Sequence, residues 1–149
     1  MYFEEFTLHE TFPIRPARID PDELAEFARK YDHIRIHTDE AYARTTHFGG
    51  IIAPGVMSFM SVWSKYLEED RFGTELIAGK STKIEWHRPV YPGDVLTGQA
   101  EVSRLVKRSE KNGIVELTVL AYNQNGLLVL SDVTETIVKC RPISPSQNP

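Results

Sequence analysis

The longest nearly uncharged run lies in the first half of the chain. From Gly49 to Leu67 it reads GGIIAPGVMSFMSVWSKYL, with Lys65 as its one charge. Gly49, Gly50, Pro54 and Gly55 interrupt the first half of this run. After Pro54, the residues Val56, Phe59, Met60, Trp63 and Leu67 recur at i, i+3, i+4, i+7 and i+11, the spacing of one apolar helical stripe. The pattern predicts a buried central helix that opens at Pro54-Gly55, with the small residues Ser58, Ser61 and Ser64 allowing close packing on its other face. Its first turn would carry free N–H groups and the positive end of the helix dipole. A membrane-spanning helix needs about 20 predominantly apolar residues, and this stretch is too polar and too broken for one.

Before this run, residues 2–8 are expected to form a short strand. A helix should start where Asp20 can cap, Pro21 suits the first helical position and Glu23 stands three after the cap. Leu24, Phe27, Ala28 and Tyr31 give it one apolar face, which ends at Tyr31. The segment Asp32 to His37 has too many β-branched and charged residues to prolong it and reads as a loop. Thr38 is then expected to cap a short helix from Asp39 to Arg44, followed by a Gly-rich connection from His47 to Gly50.

After the central helix the period changes to that of strands. Lys83 to His87 alternates and stops at Arg88-Pro89, and Tyr91-Pro92-Gly93-Asp94 is a turn. A long strand from Val95 to Arg108 turns at Lys111-Asn112-Gly113, and Val115, Leu117, Val119 and Ala121 alternate in the next. Asn125-Gly126 signals a hairpin into a last strand from Leu127 to Cys140. Helices followed by a meander indicate an α+β fold, one long helix lying against a curved antiparallel sheet.

Composition narrows the function classes. At 149 residues the chain is most simply one domain, taken here as residues 1–141, with a disordered Pro- and Ser-rich tail at 142–149. A net charge of −4 without a basic run leaves no electrostatic footprint for nucleic acid. MYFEEF is acidic and has no apolar core, so no signal peptide is read there. Cys140 is the single cysteine, expected as a half-buried strand residue, and with it the setting is expected to be cytoplasmic.

Asp32 and His37 are the candidate chemistry. A carboxylate and an imidazole in one irregular segment could orient one water for general acid–base catalysis, although by spacing alone a helix C-cap or a solvated loop is the stronger reading. His33 has no partner in the pattern, His47 could line the same cleft, and His9 and His87 read as ordinary surface or strand residues. No spacing among these histidines matches a zinc ligand set, so no metal is expected.

Three stretches together resemble a known family. They are Tyr31-Asp32 with His37 and Asp39-Glu40-Ala41-Tyr42-Ala43, then Phe48-Gly49-Gly50 with Ala53-Pro54-Gly55, then Trp86-His87-Arg88-Pro89-Val90-Tyr91-Pro92-Gly93-Asp94-Val95-Leu96. Their order and separation resemble the MaoC-like, or (R)-specific, enoyl-CoA hydratases over roughly residues 15–140. The resemblance implies the hotdog fold and homodimers that pair edge to edge around a shared cleft. It implies that Asp32 and His37 hold the water added to a trans-2-enoyl thioester, giving an (R)-3-hydroxyacyl product, and that the Gly55 N–H binds the thioester carbonyl. Ile34, Arg35, His47, Gly50 and Pro54 become candidates for substrate binding. Where the family motif has Gly, Asn and Pro around the aspartate, this chain has Tyr31, Ile34 and Arg35. Coenzyme A is the expected carrier ahead of acyl carrier protein, and proton movements alone require no cofactor. The rival readings are a hotdog thioesterase and a non-catalytic acyl-thioester binding or partner subunit.

Overall fold

The computed structural model describes residues 1–144; most of the tail expected at 142–149 lies outside the described residues. The alternating stretches form the expected meander: β3 (Val95–Lys107), β4 (Asn112–Tyr122) and β5 (Leu128–Lys139), each antiparallel to the next. The β4–β5 hairpin turns at Gly126, whose φ of 73° suits a residue without a Cβ. The side chain of Asn123 accepts the backbone N–H groups of Asn125 and Leu127 there. Val115, Leu117, Val119 and Ala121 are fully buried, as their period-two spacing requires of one face.

Two outer strands complete a five-stranded sheet in the order β1-β3-β4-β5-β2. β2 (Leu76–Trp86) lies on β5, and β1 (Thr11–Arg18) lies on β3. The strand expected at residues 2–8 is instead a 3₁₀ turn at Phe3–Glu5. β1 itself was masked by Pro13 and Pro16, which a strand tolerates at a sheet edge; its register shifts between Ile14 and Ala17. Cys140 falls just beyond β5 and is buried as a free thiol, rather than half-buried within the strand.

The helices stand between β1 and β2 in the chain: α1 (Pro21–Tyr31), α2 (Arg35–Thr38), α3 (Glu40–Thr45) and α4 (Gly55–Leu67). The central helix α4 opens at Pro54-Gly55 as expected, but its orientation differs. The buried face is Met57, Ser58, Phe59, Val62 and Tyr66, with Trp63 half-buried, whereas Val56, Met60 and Leu67 are exposed. Apolar residues run most of the way round this helix, so spacing offered two stripes. Phe59, Val62 and Tyr66 share a core with Phe12, Leu96, Val115 and Leu117. Phe12 and Phe72 pack on Tyr66 with ring centroids 6.2 and 5.8 Å away. Among the described residues no helix is long and apolar enough to cross a membrane.

The core face of β5 carries an unusual polar residue. Asp132 stands between Leu130 and Thr134 and is fully buried. Thr134 Oγ1 donates to its Oδ2 at 2.6 Å, while Oδ1 has no partner among the described residues. Burial pushes this carboxyl up from 3.8 to about 6, against the opposing effect of the Thr134 hydrogen bond. A raised folded-state pKa means that the fold favours the protonated form. The associated stability is present below the unfolded value of 3.8 and is lost as pH rises to about 6. Asp132→Asn should therefore raise stability at pH 8 by roughly 2–3 kcal/mol, with the gain shrinking as pH falls from 6 towards 4. Melting temperatures of both proteins across that range check this; a gain independent of pH would contradict it.

Candidate active site

The site begins at the end of α1. Asp20 caps that helix by accepting the N–H groups of Asp22 and Glu23 at 2.8 and 3.1 Å. The helix closes with Asp32 N–H on Ala28 O at 3.0 Å, after which Asp32 turns out of helical geometry with φ −149° and ψ 78°. The expected loop from Asp32 to His37 instead contains one helical turn, α2, closed by His37 N–H on Ile34 O and Asp39 N–H on Arg35 O, both at 2.9 Å. A single turn tolerates the β-branched Ile36 that counted against a longer helix. Asp39, rather than Thr38, caps α3 by accepting the Tyr42 N–H.

This turn buries His37 and brings it to Asp32. His37 Nδ1 lies 2.7 Å from Ile52 O, and since a carbonyl only accepts, Nδ1 carries the hydrogen. The other ring nitrogen, Nε2, faces Asp32 Oδ2 at 3.6 Å. That separation is longer than a direct hydrogen bond, and one oxygen can sit within bonding reach of both atoms. Asp32 is partly exposed, with 30% of its side chain accessible, while His37 retains 7%. The pair therefore has a buried, oriented member and a member open to a cleft.

The cleft is a cavity of about 430 Å³ lined by Asp32, His37, Gly55, Ser58, Trp86 and Arg88, among others. Gly55 is the first residue of α4, and Pro54 supplies no side-chain cap, so the first N–H groups of the helix are left uncapped at the cavity. An anion or a developing negative oxygen is stabilised at such an end. Trp86 comes from the end of β2 and packs against Gly55: a Cβ on Gly55 would meet the indole ring, 2.5 Å from Nε1.

Asp32, His37 and Gly55 thus meet in one cavity, and all three come from one chain. The expected binding residues Ile34, Arg35, His47, Gly50 and Pro54 do not line it. Ile34 is exposed, the Arg35 guanidinium lies over the Tyr42 ring, and exposed His47 stacks on Phe48 with centroids 4.0 Å apart. Gly50 is half-buried, and Pro54 is the buried residue just before the helix. His33 faces a different cavity with Arg29 and Leu24, on the other side of His37. Trp86, His87 and Arg88 also line the cavity of Asp32 and His37, and no role was expected of them there. His87 Nε2 is 2.8 Å from Ser131 Oγ, and Arg88 donates to Leu128 O. Their signal was the Trp-His-Arg-Pro run at a strand end, where side chains face a cleft.

The site and fold define a family. Residues 6–124 match the family model described as a MaoC like domain, and the chain belongs to that family. YdeM of Bacillus subtilis (strain 168), an uncharacterised protein, is 32% identical over 142 residues, covering 93% of this chain and 99% of its own length. Mesaconyl-CoA hydratase of Cereibacter sphaeroides is 28% identical over 144 residues, covering 94% of this chain but only 41% of the relative. The solved structure of a monoamine oxidase regulatory protein from Archaeoglobus superposes with a TM-score of 0.86 at 28% identity, covering 95% and 96% of the two chains. The architecture is the hotdog fold, shared with solved (R)-hydratases.

Gly55→Ala should push the half-exposed Trp86 indole outwards without unfolding the protein. In a Trp63→Phe background the tryptophan emission should shift to the red while the melting temperature changes little. An unshifted emission would show that the ring does not rest on Gly55.

Proposed function

We propose that this chain is a hydratase and dehydratase that interconverts trans-2-enoyl and (R)-3-hydroxyacyl thioesters, with coenzyme A as the carrier. The observation that carries this reading is the convergence of Asp32, His37 and the uncapped helix end at Gly55 on one cavity. Membership of the MaoC-like family and the activity named for the Cereibacter relative support it.

The chemistry follows from the geometry. Water held between Asp32 Oδ2 and His37 Nε2 attacks C3 of the enoyl thioester. The pair takes one proton from that water and returns one to C2. The electron pair of the double bond passes through an enolate whose negative charge falls on the thioester oxygen. A backbone N–H at a helix start stabilises that oxygen without reorganising. Atoms and charge balance with water alone, so no redox partner or metal is required.

The protein would act as a homodimer. β2 is a sheet edge eleven residues long with nearly every residue exposed, including Ile77 and Trp86. A long open edge presents backbone groups that another strand can pair, and a second β2 related by two-fold symmetry satisfies both. Sedimentation at micromolar concentration should give the mass of a dimer; a monomer would contradict this arrangement.

Turnover of a panel of 2-enoyl-CoA thioesters, followed by loss of the enoyl thioester absorbance, tests the activity. Asp32→Asn and His37→Ala should each lower kcat by at least ~100-fold, the scale of general acid–base catalysis. Because the two groups act on one water, the double variant should be little worse than either single one. Hydration by Asp32→Asn at near the parent rate would remove this pair from the mechanism.

A further inference from the structure

We infer that the indole N–H of Trp86 is a second donor to the thioester oxygen, acting beside the Gly55 N–H. This inference rests on the acyl-thioester reading above and adds a residue to its oxyanion site. Three observations carry it. Trp86 lines the same cavity as Asp32, His37 and Gly55. The edge of the indole that faces Gly55 is the one bearing nitrogen: Nε1, Cε2 and Cζ2 are the atoms a Cβ at Gly55 would meet. The ring is half-exposed, and among the described residues its N–H has no protein acceptor, whereas Tyr91 donates to Phe48 O and Ser58 to Pro54 O in the same region.

The distances suit one shared acceptor. Nε1 would lie 2.5 Å from the Gly55 Cβ position, and that position is ~2.5 Å from the Gly55 nitrogen by covalent geometry. The two N–H nitrogens are therefore at most ~5 Å apart. An oxygen at ~2.9 Å from each of two donors accommodates donors up to ~5.8 Å apart. One thioester oxygen can accept from both. Two donors to one oxygen at the mouth of a helix dipole stabilise enolate charge more than one does. The absence of a side chain at Gly55 then has a second consequence: it lets the indole nitrogen approach the helix end.

The indole could instead be only an apolar wall. Trp86→Phe keeps the wall and removes the donor. β-(3-benzothienyl)alanine at position 86 does the same with the ring shape retained, sulfur replacing N–H. Two readouts separate donor from wall. With Asp32 intact, each replacement should lower kcat on the order of 100-fold, as expected for loss of one oxyanion donor, with KM changed less than ~3-fold because the ground-state contact is retained. In an Asp32→Asn background, hexa-2,4-dienoyl-CoA should absorb further to the red when bound, because its carbonyl is polarised. Each replacement should at least halve that shift.

The outcomes distinguish the two readings. An unchanged kcat and an unchanged red shift in both replacements would overturn the indole donor and leave the hydratase intact. A red shift that depends on Trp86 in a protein without turnover would support the donor and remove the hydratase. A parent protein that produces no red shift would overturn the donor outright.

Discussion

Everything at the site hangs on the hydrogen bond from His37 Nδ1 to Ile52 O. It orients the ring so that Nε2 faces Asp32, and in the neutral imidazole it leaves that nitrogen free to accept. Its acceptor is itself held. Ile52 N–H donates to Ile36 O at 3.2 Å, and Ala53 N–H donates to Val90 O at 2.7 Å. The segment before α4 is therefore strung between the short helix α2 and the residues that follow β2. Within it, Ile52 places the imidazole, Ala53 ties to the residues beyond the strand end that carries Trp86, and Pro54 leads into the first turn of the central helix. A shift of this segment would move the imidazole, the helix end and the cavity wall together.

The fold was legible wherever local chemistry was unambiguous. Asp20-Pro21 marked α1 to the residue, and Asn125-Gly126 marked the last hairpin. β1 was not legible, because Pro13 and Pro16 argue against a strand unless its edge position is known. The extent of α4 could be read, but its phase could not. Val56, Met60 and Leu67 match helical spacing as well as Phe59, Val62 and Tyr66 do, and only the sheet decides which set it covers.

The candidate site was legible in part, and through family resemblance rather than spacing. Asp32 and His37 are close in sequence, and Gly55 starts the recognisable helix. Trp86, His87 and Arg88 come from a strand end some thirty residues later in the chain. No periodicity states which strand end will lie beside which helix start. Asp132 was missed for a related reason: alternation gives its face, but a carboxylate on that face reads as a break in the pattern, and only the structure shows it fully buried.

The central claim is that the Asp32–His37 pair adds water to carbon 3 while the thioester stays intact. Incubation of trans-2-butenoyl-CoA with the protein in H₂¹⁸O, followed by mass spectrometry of the intact thioester, tests it most directly. The expected result is a 3-hydroxybutanoyl-CoA carrying one ¹⁸O at carbon 3, with no free coenzyme A formed. Release of free coenzyme A with ¹⁸O in the carboxylate would contradict the account and show hydrolysis at the carbonyl instead.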